Sequence, residues 1–137
     1  MNISKQTSDD QIAGFFRILG QPARIQILLT IGEGEACVCH LEAFLGLRQA
    51  AISQHLMLLR EAGLVTANRE GRNIFYRLAH PELLQVVREA ALLLGIPEPD
   101  LDELAAQPAV PCPCPHCNPD RAADFDCSHV TEHLSGS

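Results

Sequence analysis

The amino-acid sequence predicts a mainly α-helical (α+β) fold with five helices and one β-hairpin. Apolar residues recur at helical spacing in five segments, residues 64–78 alternate with a period close to two, and glycines separate the segments. The chain has 137 residues, the size of one compact domain with an appendage. That length disfavours a two-domain enzyme.

Two helices are predicted in the first third of the chain. The first is expected over residues 9–19, with Ser8 or Asp9 as its N-cap and Gly20 at its end. The second begins near Pro22, a residue suited to the first turn of a helix, and runs to the next glycine.

A loop at residues 32–35 precedes two helices that are joined at a glycine. The third helix is expected over about 38–45 and the fourth over about 48–62, with Gly46 between them. Apolar residues on the fourth helix make an inward stripe, and polar residues occupy its outer side. The inward residues are Ile52, Leu56 and Leu59, and the outer ones are Gln49, Ser53, Gln54 and Arg60.

The hairpin follows the fourth helix. Residues 64–70 and 72–78 alternate around a Glu-Gly turn at 70 and 71, and Arg69 and Arg72 lie at its tip. Two helices joined at a glycine and followed by a hairpin with a basic tip are the elements of a winged helix-turn-helix. In that fold the second helix enters the major groove of DNA and the wing contacts the backbone.

The C-terminal part of the chain changes character after the last helix. Pro81 opens a helix over 82–94 whose apolar surface is too broad for one small neighbour, which predicts a homodimer. Beyond Gly95, seven prolines fall within 23 residues. We therefore expect a DNA-binding and dimerisation domain over 1–95 and an acidic, Pro- and Cys-rich tail over 96–137.

The charge is divided unevenly between these parts. The formal net charge is −7, yet residues 1–95 hold nine basic and nine acidic side chains, so the whole excess lies in the tail. Between residues 44 and 80, five arginines stand against two acids. A local basic patch is therefore available to DNA phosphates.

The sequence gives no sign of export or membrane insertion. No apolar run approaches the roughly 18 residues that a membrane span needs, and no apolar stretch follows a basic N-terminus. We therefore expect a cytoplasmic protein with no membrane partner. In that compartment the six cysteines are expected to be thiols rather than disulfides.

Three blocks of sequence carry a resemblance to a known family. They are LGQPARIQIL at 19–28, AAISQHLMLLREAGLV at 50–65 and EGRNIFYRL at 70–78. In this order and spacing they closely resemble the ArsR/SmtB family of bacterial metal-responsive repressors, over roughly residues 9–95. The resemblance implies a homodimeric repressor of double-stranded operator DNA. No phosphate loop and no Ser-His-Asp arrangement is present, so we expect no catalytic residues, no enzyme and no organic cofactor.

The resemblance also implies which side chains contact DNA. Residues of the fourth helix are expected at or near base edges, and the wing arginines on phosphate or in the minor groove; these residues are Gln49, Ser53, Gln54, His55, Arg69 and Arg72. Gln can pair with adenine, Ser can bond base or phosphate, and Arg supplies phosphate affinity. His55 has a second interpretation, in which it serves core packing.

The start of the fourth helix departs from the family pattern. Arg48 stands where family members often place Ser or Thr, and Ala50 replaces a frequent Pro. Loss of the capping oxygen costs the helix about 1 kcal/mol. We expect Arg48 to contact a DNA phosphate instead.

A thiol motif, CVCH at residues 37–40, resembles the CVCD motif of family members that sense arsenite, antimonite, cadmium or lead. Residues two apart on a regular helix point about 200° away from each other. We therefore expect that Cys37 and Cys39 bind one ion only after the first turn of the third helix distorts. Because that helix supports the fourth across Gly46, the distortion would displace the DNA-contacting helix. A helix N-terminus also favours the thiolate that soft ions require.

The sequence offers several candidates for the further ligands of the ion. Glu42 occupies the position of a third thiolate in arsenite sensors, whereas His40 offers a nitrogen that suits zinc or cadmium. The tail supplies further thiols: Cys112, Cys114, Cys117 and Cys127. They either complete the site at Cys37 and Cys39, form a separate site, or are incidental.

Arsenite or antimonite is the leading inducer, and cadmium, lead and zinc are the alternatives. The last helix lacks the Asp and His pattern of zinc-sensing relatives. Zinc is therefore a less favoured inducer than arsenite or antimonite. A rival is a thiol-redox or persulfide switch, in which the cysteines oxidise rather than bind an ion. A metal carrier is a rival of another class.

Overall fold

The computed structural model describes residues 7–97. This part of the chain is a winged helix-turn-helix with five helices and a three-stranded antiparallel sheet, as the sequence predicts apart from one additional strand. The elements are α1 (Ser8–Leu19), α2 (Pro22–Ile31), β1 (Glu35–Cys37), α3 (Val38–Leu45), α4 (Gln49–Glu61), β2 (Val65–Glu70), β3 (Asn73–Leu78) and α5 (Glu82–Leu93).

The helix ends follow the capping residues closely. α1 begins one residue earlier than predicted because Thr7, rather than Ser8 or Asp9, is its N-cap: its hydroxyl accepts a hydrogen bond from the Asp10 N–H at 3.4 Å. α3 ends at Gly46, which adopts the left-handed conformation with φ 68° and donates its N–H to the Glu42 carbonyl at 2.8 Å. This sharp end fixes the turn from α3 into α4.

The core lies between α2, α3 and α4. Ile27 and Leu28 of α2, Leu41 of α3, and Ile52 and Leu59 of α4 are all fully buried in one cluster. The apolar stripe predicted on α4 therefore faces the core, and the opposite side of α4 is left for other contacts.

The sheet contains a strand, β1, that the sequence does not predict: Glu35 falls at the end of the predicted loop, and Cys37 is expected at the start of the third helix. β1 pairs antiparallel with β3, placing Glu35 opposite Arg77 and Cys37 opposite Phe75. The predicted loop at 32–35 therefore ends at Gly34. β3 lies between β1 and β2, so the hairpin of β2 and β3, called the wing below, is joined to the segment that precedes α3.

The last helix carries an exposed apolar surface. Leu92, Leu93 and Leu94, at the end of this helix, are 64%, 88% and 75% exposed. Phe16 of α1, which lines the same groove as Leu94, is 56% exposed. A groove of about 420 Å³ runs between α5 and the first two helices, with lining residues that include Phe16, Ile25, Val87 and Leu94. Within residues 7–97 no helix is both long and apolar enough to cross a membrane.

Candidate functional site

The outer side of α4 presents polar side chains to the surroundings. Ser53, Gln54 and Arg60 are exposed, and Gln49 is half-buried at the first turn. Ile52 and Leu56 point the other way, into the core. This arrangement leaves hydroxyl, amide and guanidinium groups available for base edges and phosphates.

Arg48 is the N-cap residue of α4, in extended backbone with φ −73° and ψ 155°. Its side chain makes no capping hydrogen bond, as expected for a residue without a short side-chain oxygen. The side chain is exposed. The start of α4 therefore combines a cation with the positive end of the helix dipole, which together attract a phosphate.

His55 is half-buried and hydrogen-bonded within the protein. Arg24 of α2 donates from Nε to Nδ1 of His55 at 3.2 Å. Burial, and after it the charge of Arg24, lowers the pKa of His55 from its usual value of 6.5. These contacts match the packing interpretation of His55. Its approach to a base edge remains a prediction.

No pattern in the sequence indicates a role for Arg24. It lies 31 residues before His55, so no local pattern connects the two positions. The same guanidinium donates from Nη1 to the carbonyl of Ile18 at 2.9 Å, which ties it to the last turn of α1 as well.

The wing carries two exposed arginines near its tip. Arg69 lies in β2, and Arg72 follows Gly71, which has a φ of 62° in the turn. Arg77 of β3 instead approaches Glu35 of β1, with Nη2 and Oε2 3.8 Å apart. Because the Arg77 side chain is 61% exposed, that ion pair adds little to stability.

The sulfur atoms of Cys37 and Cys39 lie 2.9 Å apart and share a hydrogen bond. We call these residues the thiol pair. Cys37 ends β1 and is the N-cap of α3, with φ −88° and ψ 170°, and its Sγ accepts the His40 N–H at 3.4 Å. The expectation that the two side chains point apart is therefore wrong, because Cys37 lies in extended backbone just before the helix.

The thiol pair is buried where β1 meets the start of α3. Each cysteine is 1% exposed, and both pack against Phe75 of β3. The His40 ring stacks on Phe44, with centroids 4.4 Å apart, and Glu42 is buried in the same helix.

Two adjacent soft sulfur donors fit a thiophilic ion but form an incomplete ligand set. Within residues 7–97 no three Cys, His, Asp or Glu side chains are grouped closely enough to hold a metal ion. The tail thiols Cys112, Cys114, Cys117 and Cys127 lie outside the described residues.

The chain is similar in sequence to known bacterial regulators of transcription. Residues 21–67 match the model of the bacterial regulatory protein, arsR family. The chain is 38% identical over 91 residues to the biofilm growth-associated repressor of Agrobacterium fabrum, which covers 66% of this chain and 78% of that protein. It is 40% identical over 110 residues to the arsenic resistance transcriptional regulator ArsR1 of Pseudomonas putida, which covers 72% of this chain and 84% of that protein.

A solved structure agrees with the fold. The solution structure of the homodimeric winged helix-turn-helix DNA-binding domain of Mycobacterium bovis Mb0332 superimposes with a TM-score of 0.57 at 27% identity, covering 66% of this chain and 89% of that one. The relatives are regulators of transcription rather than enzymes. The chain therefore belongs to the ArsR family of bacterial regulatory proteins and is a transcriptional repressor of the winged helix-turn-helix class.

Proposed function

We propose that the protein binds a near-palindromic operator as a homodimer in the cytoplasm. Ser53 and Gln54 on the exposed side of α4 contact base edges in the major groove, while Arg69 and Arg72 of the wing contact the DNA backbone. One α4 helix covers a half-site, so two subunits are needed. The exposed apolar surface of α5 and α1 supplies the dimer contact, and the homodimeric relative supports it.

Release from DNA follows when the thiol pair binds a thiophilic ion, with arsenite or antimonite as the leading inducer. The observation that carries this proposal is the 2.9 Å separation of two buried sulfur atoms directly before α3. The arsenic resistance relative supports the choice of ion. Residues 1–95 form the DNA-binding and dimerisation domain, and residues 96–137 form the tail.

The chemistry of capture by the pair alone is balanced as a condensation. Arsenous acid, As(OH)₃, exchanges two hydroxyl groups for the sulfurs of Cys37 and Cys39 and releases two water molecules. A third sulfur replaces the last hydroxyl with release of a third water. Cys112, Cys114, Cys117 and Cys127 are the candidates within this chain, and a small free thiol is the alternative.

Coupling to DNA follows from the position of the pair. Both cysteines are 1% exposed and pack against Phe75. An ion can reach the two sulfur atoms only if that cover moves. The ion favours that opened form, and a preference of about 1–3 kcal/mol is typical of such couplings.

Two routes lead from the thiol pair to the DNA-contacting residues. α3 passes the movement through Gly46 to α4, and β1 passes it through its pairing with β3 to the wing. Both groups of DNA contacts are therefore displaced by one local event.

A thiol-redox switch is the second candidate, and the same short separation favours it. Hydrogen peroxide would remove two electrons and two protons from the thiols, giving one disulfide and two water molecules. The two candidates differ in their product: ion binding leaves the oxidation state of both sulfurs unchanged and adds the mass of the ion, whereas oxidation forms a sulfur–sulfur bond with the loss of two hydrogens.

The deciding experiment follows a labelled duplex that the full-length reduced protein has selected from a randomised library. Arsenite, cadmium, lead, zinc and peroxide are titrated in parallel, and anisotropy reports release while intact-protein mass identifies the product. We expect arsenite to release the duplex with the added mass of arsenic. Release by peroxide alone, with the loss of two hydrogens, would replace ion sensing with redox sensing.

The same experiment covers the remaining alternatives. Release by cadmium, lead or zinc at lower concentration than by arsenite would name a different inducer. Replacing the four tail cysteines by serine tests whether the third sulfur comes from the tail. Failure to select any duplex would contradict repression and favour a metal carrier.

A further inference from the structure

Arg24 of α2 links α1 and α4, two helices that carry different parts of the proposed function. It lies in α2, donates from Nη1 to the carbonyl of Ile18 in the last turn of α1, and donates from Nε to Nδ1 of His55 in α4. α1 contributes Phe16 and Leu19 to the groove beside α5, where the dimer contact is proposed. His55 directly follows Gln54, a proposed base contact.

We propose that Arg24 is a positioning residue that fixes the direction of α4 relative to the dimer contact. The inference rests on the proposed binding of DNA by α4. Its consequence is specificity: a dimer recognises two half-sites only when both α4 helices are held at the correct separation and angle. Arg24 touches no DNA in this role and acts through His55 and Ile18.

The chemistry of the guanidinium suits this task. It is planar, permanently charged and able to donate in two fixed directions at once, whereas the ammonium of lysine is a compact point charge. Both acceptors are part-buried, so removing the donor leaves them without this partner at partial cost. The carbonyl of Ile18, in the last turn of α1, would also lose the positive charge that the guanidinium places beside it.

The hydrogen bond to His55 needs the neutral imidazole. Nδ1 accepts only while it carries no proton, and protonation would place a second positive charge beside Arg24. The other arginines of α1 and α4, Arg17 and Arg60, are exposed. The contact is therefore present at neutral pH and is lost as the pH falls through the lowered pKa of His55.

The test measures binding of the full-length protein to its library-selected duplex and to a scrambled duplex of equal length. The variants are Arg24→Gln, Arg24→Lys, His55→Ala and the double variant Arg24→Gln/His55→Ala, with Arg17→Gln as a control that removes the same charge from an exposed position. Thermal unfolding confirms that each variant is folded. If Arg24→Gln fails to fold, the same comparison is made with Arg24→Lys.

We expect Arg24→Gln to lose about tenfold in affinity for the selected duplex and less than about threefold for the scrambled one, the pattern of lost specificity. Arg24→Lys should lose less. Because Arg24 acts partly through His55, the two losses should not multiply in the double variant. Wild-type affinity should also fall more steeply from pH 7 to pH 5 than that of His55→Ala.

Equal losses on both duplexes, or losses that multiply in the double variant, would overturn the positioning role. So would identical pH profiles for the wild type and His55→Ala. If the wild type selects no duplex at all, the proposed DNA binding fails and this inference fails with it. If the wild type binds and Arg24→Gln binds equally well, only the positioning role fails.

Discussion

Cys37 and Phe75 are paired residues on β1 and β3, so the thiol pair is attached directly to the central strand of the sheet. Phe75 is 3% exposed and covers both sulfur-bearing residues. The proposed sensor therefore contacts the wing through β3 at the same time as it begins α3. In the proposed mechanism, a change at the sulfurs would therefore reach both α4 and the wing without crossing the main core.

Phe75→Leu is expected to open the cover of the thiol pair. Loss of the ring leaves unfilled space, so the free energy of unfolding should fall by about 1 kcal/mol. A thiol reagent added to the native protein should then modify Cys37 and Cys39 several-fold faster. The measurement is the rate of thiol modification, resolved by peptide mass.

Ile27→Val is the matched control for this variant. Ile27 is fully buried in the other core cluster, and its replacement costs about 0.5–1.5 kcal/mol. If Phe75 acts locally, Ile27→Val should leave the rate of modification of Cys37 and Cys39 unchanged. Equal acceleration in both variants would mean that the thiols react through general unfolding rather than through opening at Phe75.

Gly46→Ala should disturb the turn between α3 and α4. Alanine in the left-handed conformation costs about 1–2 kcal/mol, and Gly46 has a φ of 68°. We expect lower thermal stability together with weaker binding to the selected duplex. Gly14→Ala is the control: Gly14 lies inside α1 with open space around its Cβ position, so stability should rise by up to about 1 kcal/mol. Unchanged thermal stability and unchanged duplex binding in Gly46→Ala would contradict the role of this turn.

Arg48→Ser should separate stability from DNA affinity. A serine hydroxyl supplies the capping hydrogen bond that α4 lacks, which raises the free energy of unfolding by about 1 kcal/mol. The same change removes the proposed phosphate contact, so affinity for any duplex should fall and its dependence on salt should weaken. Unfolding by urea and binding at several salt concentrations measure the two effects. Unchanged affinity would remove Arg48 from the DNA contacts.

The wing arginines are expected to contribute affinity without sequence preference. Arg69→Ala and Arg72→Ala together should reduce the slope of log affinity against log salt by about two. The loss should be similar for selected and scrambled duplexes. Arg88→Ala, at an exposed position of α5, removes a charge from a different face and should leave the slope nearly unchanged. A loss confined to the selected duplex would instead place these arginines in base recognition.

The helices and the wing could be predicted because their signals are local. Ile52, Leu56 and Leu59 fall at helical spacing and are buried, and glycines mark where α3 and α4 end. The strands of the hairpin follow from alternation around one turn. Each of these features depends on residues within a few positions of each other.

The geometry of the site could not be predicted in the same way. β1 has only three residues, too few for a period to appear, and it forms because β3 offers it a pairing edge. Without that strand, Cys37 looks like a helical residue, and the thiol pair is wrongly expected to point apart. The contact from Arg24 to His55 likewise spans the core and leaves no trace in either local segment.

The most direct measurement of the central claim is arsenite titration of the complex between full-length protein and its selected duplex, for the wild type, Cys37→Ser and Cys39→Ser. Each serine variant keeps the shape of the site while removing one sulfur. The account predicts that all three bind the duplex with similar affinity and that arsenite releases only the wild type. Normal release of either serine variant would contradict the thiol pair as the sensor.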